Sequence, residues 1–418
     1  MKQVESSEVR AVTLSVLYFF FLFGSYSLIK PVRDAMGTVY GVSHLQELFT
    51  ATLAASLIFS PLYSGLVARL RLASFLPRVY GFVAVTMLAF YALFASAQHM
   101  ERAAAAGFYV WVSTFNLLII SVFWSFMADL YSSTQAKRLF GLVAAGGTLG
   151  GIAGPAAATF LATRVGNDNL LLIGAAGFAL TAVLVRMLAG EKARLVATGG
   201  ETQRTSLARS LPGNPFDGFR LLVKSPYLLL LALFLLLMTW ISTIVYFQLG
   251  ELITHAFASR EARTQAYAMI DLAVNSCALL IQLFGTGRLI ARFGVGTGLL
   301  LNPVIMVLAF LAIAFSPVLL VLGGMQILRR VAEYAIAKPA REMLFTVVDQ
   351  DSRYKAKNVI DTVVYRFGDF SSAWVSAAIL PYGVAGLAVF GVIISAIWFP
   401  IAYLLGRRYE IYRGGVHT

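Results

Sequence analysis

The chain has 418 residues, of which 59% are hydrophobic and 13% charged, with a formal net charge of +13. Soluble domains carry roughly 25% charged residues, so the composition excludes a soluble globular protein and points to a membrane protein. The four histidines, His44, His99, His255 and His417, are widely separated and Cys277 is the single cysteine; no metal-ligand spacing, internal disulfide or nucleophile and base set emerges, and neither enzyme activity nor a cofactor or metal is expected.

A membrane-crossing helix needs about 20 apolar residues. Candidate runs lie near 12–29, 46–68, 75–97, 107–129, 139–163, 169–189, 227–250, 265–287, 295–316, 318–340, 358–380 and 383–405. They predict an all-α polytopic membrane protein of twelve transmembrane helices: an N-terminal six-helix bundle over 1–189, a cytoplasmic linker over 190–226 where Gly, Thr, Arg and Pro accumulate, and a C-terminal six-helix bundle over 227–418. No small-residue cleavage signature follows the first run, so it is expected to stay in place as a helix.

The first run ends in Tyr26-Ser-Leu-Ile-Lys30-Pro31-Val-Arg33-Asp34, two cations and an acid around a proline expected to break the helix. A broken end of this kind suits anion binding or an outer seal; a simple interfacial anchor is the alternative. After the fourth run comes Asp129-x2-Ser132-x3-Ala136-Lys137, a pattern repeated as Asp349-x2-Ser352-x3-Ala356-Lys357. Gly65-Leu-Val-Ala-Arg69 likewise returns as Arg288-Leu-Ile-Ala-Arg292 at nearly the same displacement. Two agreeing displacements imply duplicated halves, the usual architecture of a secondary transporter with its substrate site near mid-membrane between them. The repeated Asp and Lys residues fall at cytoplasmic helix ends, where gate-closing ion pairs are expected.

The fifth run carries Gly146-x3-Gly150, Gly147-x3-Gly151 and Gly150-x3-Gly154, spacings that place small residues on shared faces for close helix packing. No Gly-Lys-Ser/Thr follows, so a phosphate loop is not indicated. The stretch 214–224 mixes large apolar and basic residues and is read as a short helix at the lipid headgroups or, equally, a solvated connection.

Charges at a helix centre cost about 2.5–3.5 kcal/mol on insertion scales, so those inside spans face a cavity or a partner. Asp271, Asn275 and Gln282 form one stripe of the eighth run, in which Cys277 is expected to fill the core. In the tenth run Gln326, Arg330 and Glu333 share a face, and Arg329 precedes Glu333 by four residues for an ion pair. In the eleventh, Asp361, Tyr365, Arg366 and Asp369 fall on a common side. Glu333 cannot satisfy both adjacent arginines, which leaves positive charge for an anion; networks that only tie helices together are the bland alternative. Most cations outside the spans, including Arg69, Arg71, Arg78, Lys137, Arg138, Arg288, Arg292, Arg407 and Arg408, gather on one side. By the positive-inside rule both termini are then cytoplasmic, and the net charge reports topology rather than nucleic-acid binding.

Lys338-Pro-Ala-Arg-Glu-Met-Leu-Phe-Thr-Val-Val-Asp349, continuing through Lys357-Asn-Val-Ile-Asp361 to Arg366-Phe-Gly368-Asp369, resembles the ATP:ADP antiporter (nucleotide transporter) family of plastids and intracellular bacteria. So do the Tyr26–Asp34 segment and Phe123-Trp124-Ser-Phe-Met-Ala-Asp129 with Gln135-Ala-Lys137-Arg138. Gly141-x8-Gly150-x3-Gly154-Pro155 is similar to the glycine-proline motif of major facilitator antiporters, with Ala158-Thr159 in place of its final Gly-Gly. The resemblance implies a major-facilitator fold, exchange of ATP for ADP or proton-coupled nucleotide import by alternating access, and functional roles for Lys30, Arg33, Lys137, Lys357, Asp361 and Arg366. Asp369 stands where nucleotide-exchanging members tend to have lysine, and Val112 with its apolar neighbours where they have an acid, which marks a divergent branch.

Together these readings predict a multi-pass transporter of the bacterial inner membrane that moves a small anionic solute, ATP or ADP among the candidates, and needs no more than a monomer. Lys30, Arg33, Arg329, Arg330 and Arg366 bind substrate in this scheme. Asp271, Glu333, Asp361 and Asp369 couple protons or balance charge, and Asp129, Lys137, Asp349 and Lys357 gate the cytoplasmic side. The alternatives are a proton-coupled carrier of a non-nucleotide solute and a membrane receptor or scaffold without flux.

Overall fold

The computed structural model describes residues 4–69, 72–96, 101–199, 217–349, 356–357 and 359–415, and their regular structure is helical. Helices α1 (Val9–Tyr40), α2 (Leu45–Arg69), α3 (Leu72–Ser96), α4 (Glu101–Leu130), α5 (Ser133–Val165) and α6 (Asn167–Gly199) occupy the first half. After the short α7 (Asp217–Lys224) come α8 (Pro226–Ala256), α9 (Arg260–Phe284), α10 (Thr286–Phe315), α11 (Leu319–Ala332), α12 (Lys338–Leu344), α13 (Tyr365–Ile379) and α14 (Gly383–Gly415). A π-helical turn, Glu333–Ala337, joins α11 to α12, and a second, Val359–Val364, leads into α13. Nine stretches among the described residues are long and apolar enough to cross a membrane. The protein is an all-α, multi-pass membrane protein.

Contacts divide the chain into two units: residues 1–40, 54–211 and 257–272 in the first, and 41–53, 212–256 and 273–418 in the second. Two short segments, 41–53 and 257–272, cluster with the opposite half of the chain. The linker region also begins as helix, since α6 runs to Gly199; residues 200–216 lie outside the described residues.

In the first unit α1 packs against α4, α5 and α6, and α3 against α6. The α1–α5 seam follows from the glycine spacing. A Cβ on Gly146, Gly150 or Gly154 would collide with the carbonyl of Val16, Phe20 or Gly24 respectively, so only glycine lets these backbones meet. Aromatic packing fills the space toward α4, where the Phe19 and Phe123 rings stack at 4.0 Å and Tyr18 meets Phe123 edge-on. The Tyr18 and Tyr80 hydroxyls hydrogen-bond at 2.6 Å. A capping box starts α5: Ser132 Oγ accepts from Gln135 N–H while Gln135 Oε1 accepts from Ser132 N–H. This explains one letter of the repeated motif; its counterpart, Ser352, lies outside the described residues.

The end of that seam is held by Glu8, buried just before α1. Its carboxylate accepts hydrogen bonds from Gln135 Nε2 (3.0 Å), Arg138 Nη2 (2.8 Å) and the Glu5 backbone N–H (3.0 Å). Burial raises its pKa, but the three hydrogen bonds and the Arg138 charge outweigh burial and hold the Glu8 carboxyl below its ordinary value.

In the second unit α8 packs on α13 and α14, and α10 lies along α14, where Gly296 and Gly406 bring two backbones together. Gly294, at φ +79°, takes a backbone conformation open to glycine and breaks α10 into two helical pieces. The Tyr334 and Ala335 carbonyls, within the first π turn, accept bonds from Gln282 Nε2 (3.1 Å) and Thr286 Oγ1 (2.6 Å).

Two sequence expectations are corrected. Pro31 does not break α1, which continues for 32 residues from Val9 to Tyr40; packing on α4, α5 and α6 holds the helix across the missing N–H. Cys277 is exposed rather than a core filler, a position its weakly polar thiol tolerates on a membrane helix.

Candidate functional site

Among the described residues, three clusters of charged side chains hold most of the site residues predicted from the sequence, each within one unit. In the first unit, consecutive turns of α1 present Lys30, Arg33 and Asp34, and α9 contributes Asp271. Lys30 Nζ bonds Asp271 Oδ2 at 2.6 Å and Asp34 Oδ2 at 3.4 Å. Arg33 donates through Nε to Asp34 Oδ1 at 3.0 Å and through Nη1 to Ser113 Oγ at 3.3 Å, and its guanidinium lies 5.2 Å from the Tyr109 ring centre. Both carboxylates are buried, Asp34 at 3% and Asp271 at 4% exposure. A buried carboxylate is tolerated when it is paired and hydrogen-bonded, which is the arrangement here.

Arg263 and Tyr267 complete this cluster and were not singled out in the sequence. Arg263 bonds Thr38 Oγ1 (3.2 Å) and the Phe257 carbonyl (2.9 Å). Tyr267, buried, stands among the charges of Asp34, Arg263 and Arg33. No signal marked Arg263, because it precedes the predicted span and resembles an ordinary loop cation.

The second cluster joins α11 to α13. Arg329, 6% exposed, donates to Gln326 Oε1 (3.0 Å), Ser242 Oγ (2.7 Å) and Glu333 Oε2 (2.8 Å), as the four-residue spacing predicts. Arg330, 9% exposed, lies 5.5 Å from the Tyr334 ring centre. Arg366 pairs with Asp369 at 3.7 Å, while its Nε is buried without a hydrogen-bond acceptor. Tyr365 stands among Asp369, Glu333 and Arg366, which ties the two helices into one polar centre. Three guanidinium groups here accompany the carboxylates of Glu333 and Asp369, and guanidinium suits bidentate recognition of phosphate or carboxylate.

Asp361 leaves the face it was expected to share with Tyr365, Arg366 and Asp369. It lies in the π turn, whose extra residue shifts the helical register, and its nearest cation is Arg341 at 3.5 Å. It thereby enters a third cluster, in which Lys357 Nζ bonds Glu342 Oε2 and lies 5.2 Å from the Phe345 ring. Burial raises the Glu342 pKa, but the Lys357 hydrogen bond and charge, with Arg341, hold its carboxyl below the ordinary value. Asp271, Asn275 and Gln282 all lie on the continuous helix α9.

Of the remaining gate residues, Asp129 ends α4, Lys137 is exposed on α5, and Asp349 follows the short 3-10 turn Phe345–Val347. The acid bonded to Lys357 is Glu342, an unmarked residue, rather than its motif partner Asp349.

With this geometry in view, the sequence pattern that defines the Major Facilitator Superfamily matches residues 14–331. The chain belongs to the Major Facilitator Superfamily. The chain is 25% identical over 349 residues to ADP,ATP carrier protein 1 of Chlamydia pneumoniae, covering 73% of this chain and 67% of that one. It is also 25% identical over 309 residues to ADP,ATP carrier protein 1 of Chlamydia muridarum (strain MoPn / Nigg), covering 66% of this chain but 58% of the relative, so it spans only part of these carriers' length. The fold is shared with a bacterial homolog of the human lysosomal transporter Spinster, crystallised in an inward-facing and unoccupied conformation, at a TM-score of 0.64 and 17% identity over 98% of this chain and 99% of that chain. The protein is a membrane transporter of major-facilitator type, divergent from the ADP,ATP carriers that the sequence resembles.

Proposed function

We propose that this major facilitator transporter moves an anionic solute by alternating access, with a nucleotide as the leading candidate and both chain termini on the cytoplasmic side of a bacterial inner membrane. The observation that carries the reading is the buried pair Arg329 and Arg330 beside Arg366, a polar centre in which guanidinium groups outnumber the carboxylates of Glu333 and Asp369. An anionic solute supplies the charge that this centre needs once Arg366 Nε gains an acceptor. Within the first unit, Lys30 and Arg33 form a separate basic cluster balanced by Asp271 and Asp34. Asp361, Glu342 and Lys357 work at the gate. Similarity to ADP,ATP carriers over most of the chain supports a nucleotide.

A second reading, proton-coupled transport of another anion, is favoured by Asp369, an ionisable acid held by Arg366 where the resembled family tends to have lysine. Uptake of labelled ATP into proteoliposomes, with and without ADP inside, separates the two. Stimulation by internal ADP that is lost in Arg330→Gln supports exchange. Absence of flux with folded protein rejects the nucleotide, and uptake of another anion that follows an imposed proton gradient supports the second reading.

A further inference from the structure

We infer that the second unit carries a binding site for anionic phospholipid headgroups, built from α7 and the facing ends of α10 and α14, separate from the transport path. Helix α7 is fastened to α8 through a single residue: Ser225 N–H bonds the Leu221 carbonyl at 3.0 Å, and Ser225 Oγ accepts from Leu228 N–H at 3.3 Å. Its level is therefore set by the start of α8 at Pro226, a span of mean hydropathy 2.6. Within α7, Leu222 is buried at 8% exposure while Phe219 and Val223 are exposed at 39% and 74%. At 100° per residue the two exposed apolar side chains share one face, and exposed Arg220 and Lys224 share the adjoining one. A connection in water gains nothing from turning Phe219 and Val223 outward. At the membrane boundary the same arrangement places apolar groups against acyl chains and cations against phosphates.

The neighbouring helix ends add to this surface. Tyr227, at the start of α8, packs edge-on against Tyr412 of α14 with ring centres 5.2 Å apart. The Gly296 and Gly406 contact brings α10 alongside α14, with exposed Arg292 one turn before Gly296 and exposed Arg407 next to Gly406. Both guanidinium groups lie near exposed aromatic rings, Arg292 over Phe293 at 5.4 Å and Arg407 over Tyr403 at 6.0 Å. Clustered cations with interleaved apolar residues at a bilayer boundary attract anionic lipid, each cation strengthening binding about fivefold.

The test is lipid retention by the full-length protein in nanodiscs of phosphatidylcholine containing phosphatidylglycerol, followed by mass spectrometry of the lipids that remain bound on extraction. Phosphatidylglycerol is expected to be enriched over its share of the bilayer, and Arg220→Gln with Lys224→Gln to lower that enrichment about 25-fold. Phe219→Ser with Val223→Ser should lower retention of both lipids. The same-sign control Arg78→Gln, an exposed cation of α3, should leave it unchanged. Equal loss with Arg78→Gln would mean diffuse surface charge and overturn the site, as would retention unaffected by the α7 variants. Release of the lipid by millimolar inorganic phosphate would also overturn it, since a headgroup anchored by acyl chains is not displaced by the free anion. If the α7 variants fail to fold, Arg292→Gln with Arg407→Gln on the two long helices carries the same expectation.

Discussion

Lys30 Nζ lies 2.6 Å from Asp271 Oδ2, joining α1 to the first half of α9 across 241 positions of sequence. The pair is buried on the acid side, with the Asp271 side chain 5% exposed. Removing the cation as Lys30→Ala leaves that carboxylate without its closest charge, so the protein should lose about 3–5 kcal/mol of stability. Asp271→Asn keeps the shape and should cost less, and exchanging the charges as Lys30→Asp with Asp271→Lys should restore part of the loss. Thermal unfolding of the purified protein in detergent reads all three; equal stability of Lys30→Ala and the unaltered protein would contradict the pairing.

Arg330 and Arg329 should respond differently to neutralisation. Arg329 holds Gln326, Ser242 and Glu333 together, so Arg329→Gln is expected to lower both stability and flux. Arg330 lies over the Tyr334 ring, and Arg330→Gln is expected to weaken apparent substrate affinity about tenfold to a hundredfold, the worth of a charge-assisted hydrogen bond, beyond any change in unfolding temperature. Concentration-dependent uptake beside thermal unfolding separates the two effects.

Gly150 tests the α1–α5 seam. A methyl group there meets the Phe20 carbonyl, so Gly150→Ala should push the helices apart at a cost of about 1–3 kcal/mol, although alanine is the better helix former. Gly141, which has no atom near its Cβ position, is the control, and Gly141→Ala should be neutral or slightly stabilising.

Acid should loosen the Glu8 clamp. The Glu8 pKa in the folded protein is below its ordinary value, so its contribution is present above the ordinary carboxylate range and is lost as pH falls through the folded pKa. The unfolding temperature should therefore exceed that of Glu8→Gln at neutral pH, and the two should converge in acid. Glu342, lowered with Lys357 and Arg341, has the same sign, so Glu342→Gln should show the same convergence.

The interactions legible in the sequence are those set by short spacing. Arg329 and Glu333 are four apart, Arg366 and Asp369 three apart, and helical geometry alone brings them together. The glycine pattern of α5 was equally readable, since it needs only one close partner. Asp361 was misplaced because periodicity assumes an uninterrupted α-helix, and a π turn breaks that assumption. Lys30 with Asp271, Glu342 with Lys357, and Glu8 with Arg138 depend on how distant segments pack, which periodicity does not carry. Pro31 misled for a related reason: its local preference to end a helix lost to the packing around it.

The comb of Gly146, Gly150 and Gly154 meets the Val16, Phe20 and Gly24 carbonyls at intervals of one helical turn on both sides. The glycine-to-carbonyl contacts alone repeat every four residues: slipping α1 by about 6 Å along α5 would seat most glycines against the next carbonyl in line. The observed setting is singled out by the Phe19 ring over Gly147 and by the asymmetric end, where the Glu8 carboxylate meets Gln135 and Arg138. That carboxylate acts as an index pin at one end of the interface, like the zero mark of a rule.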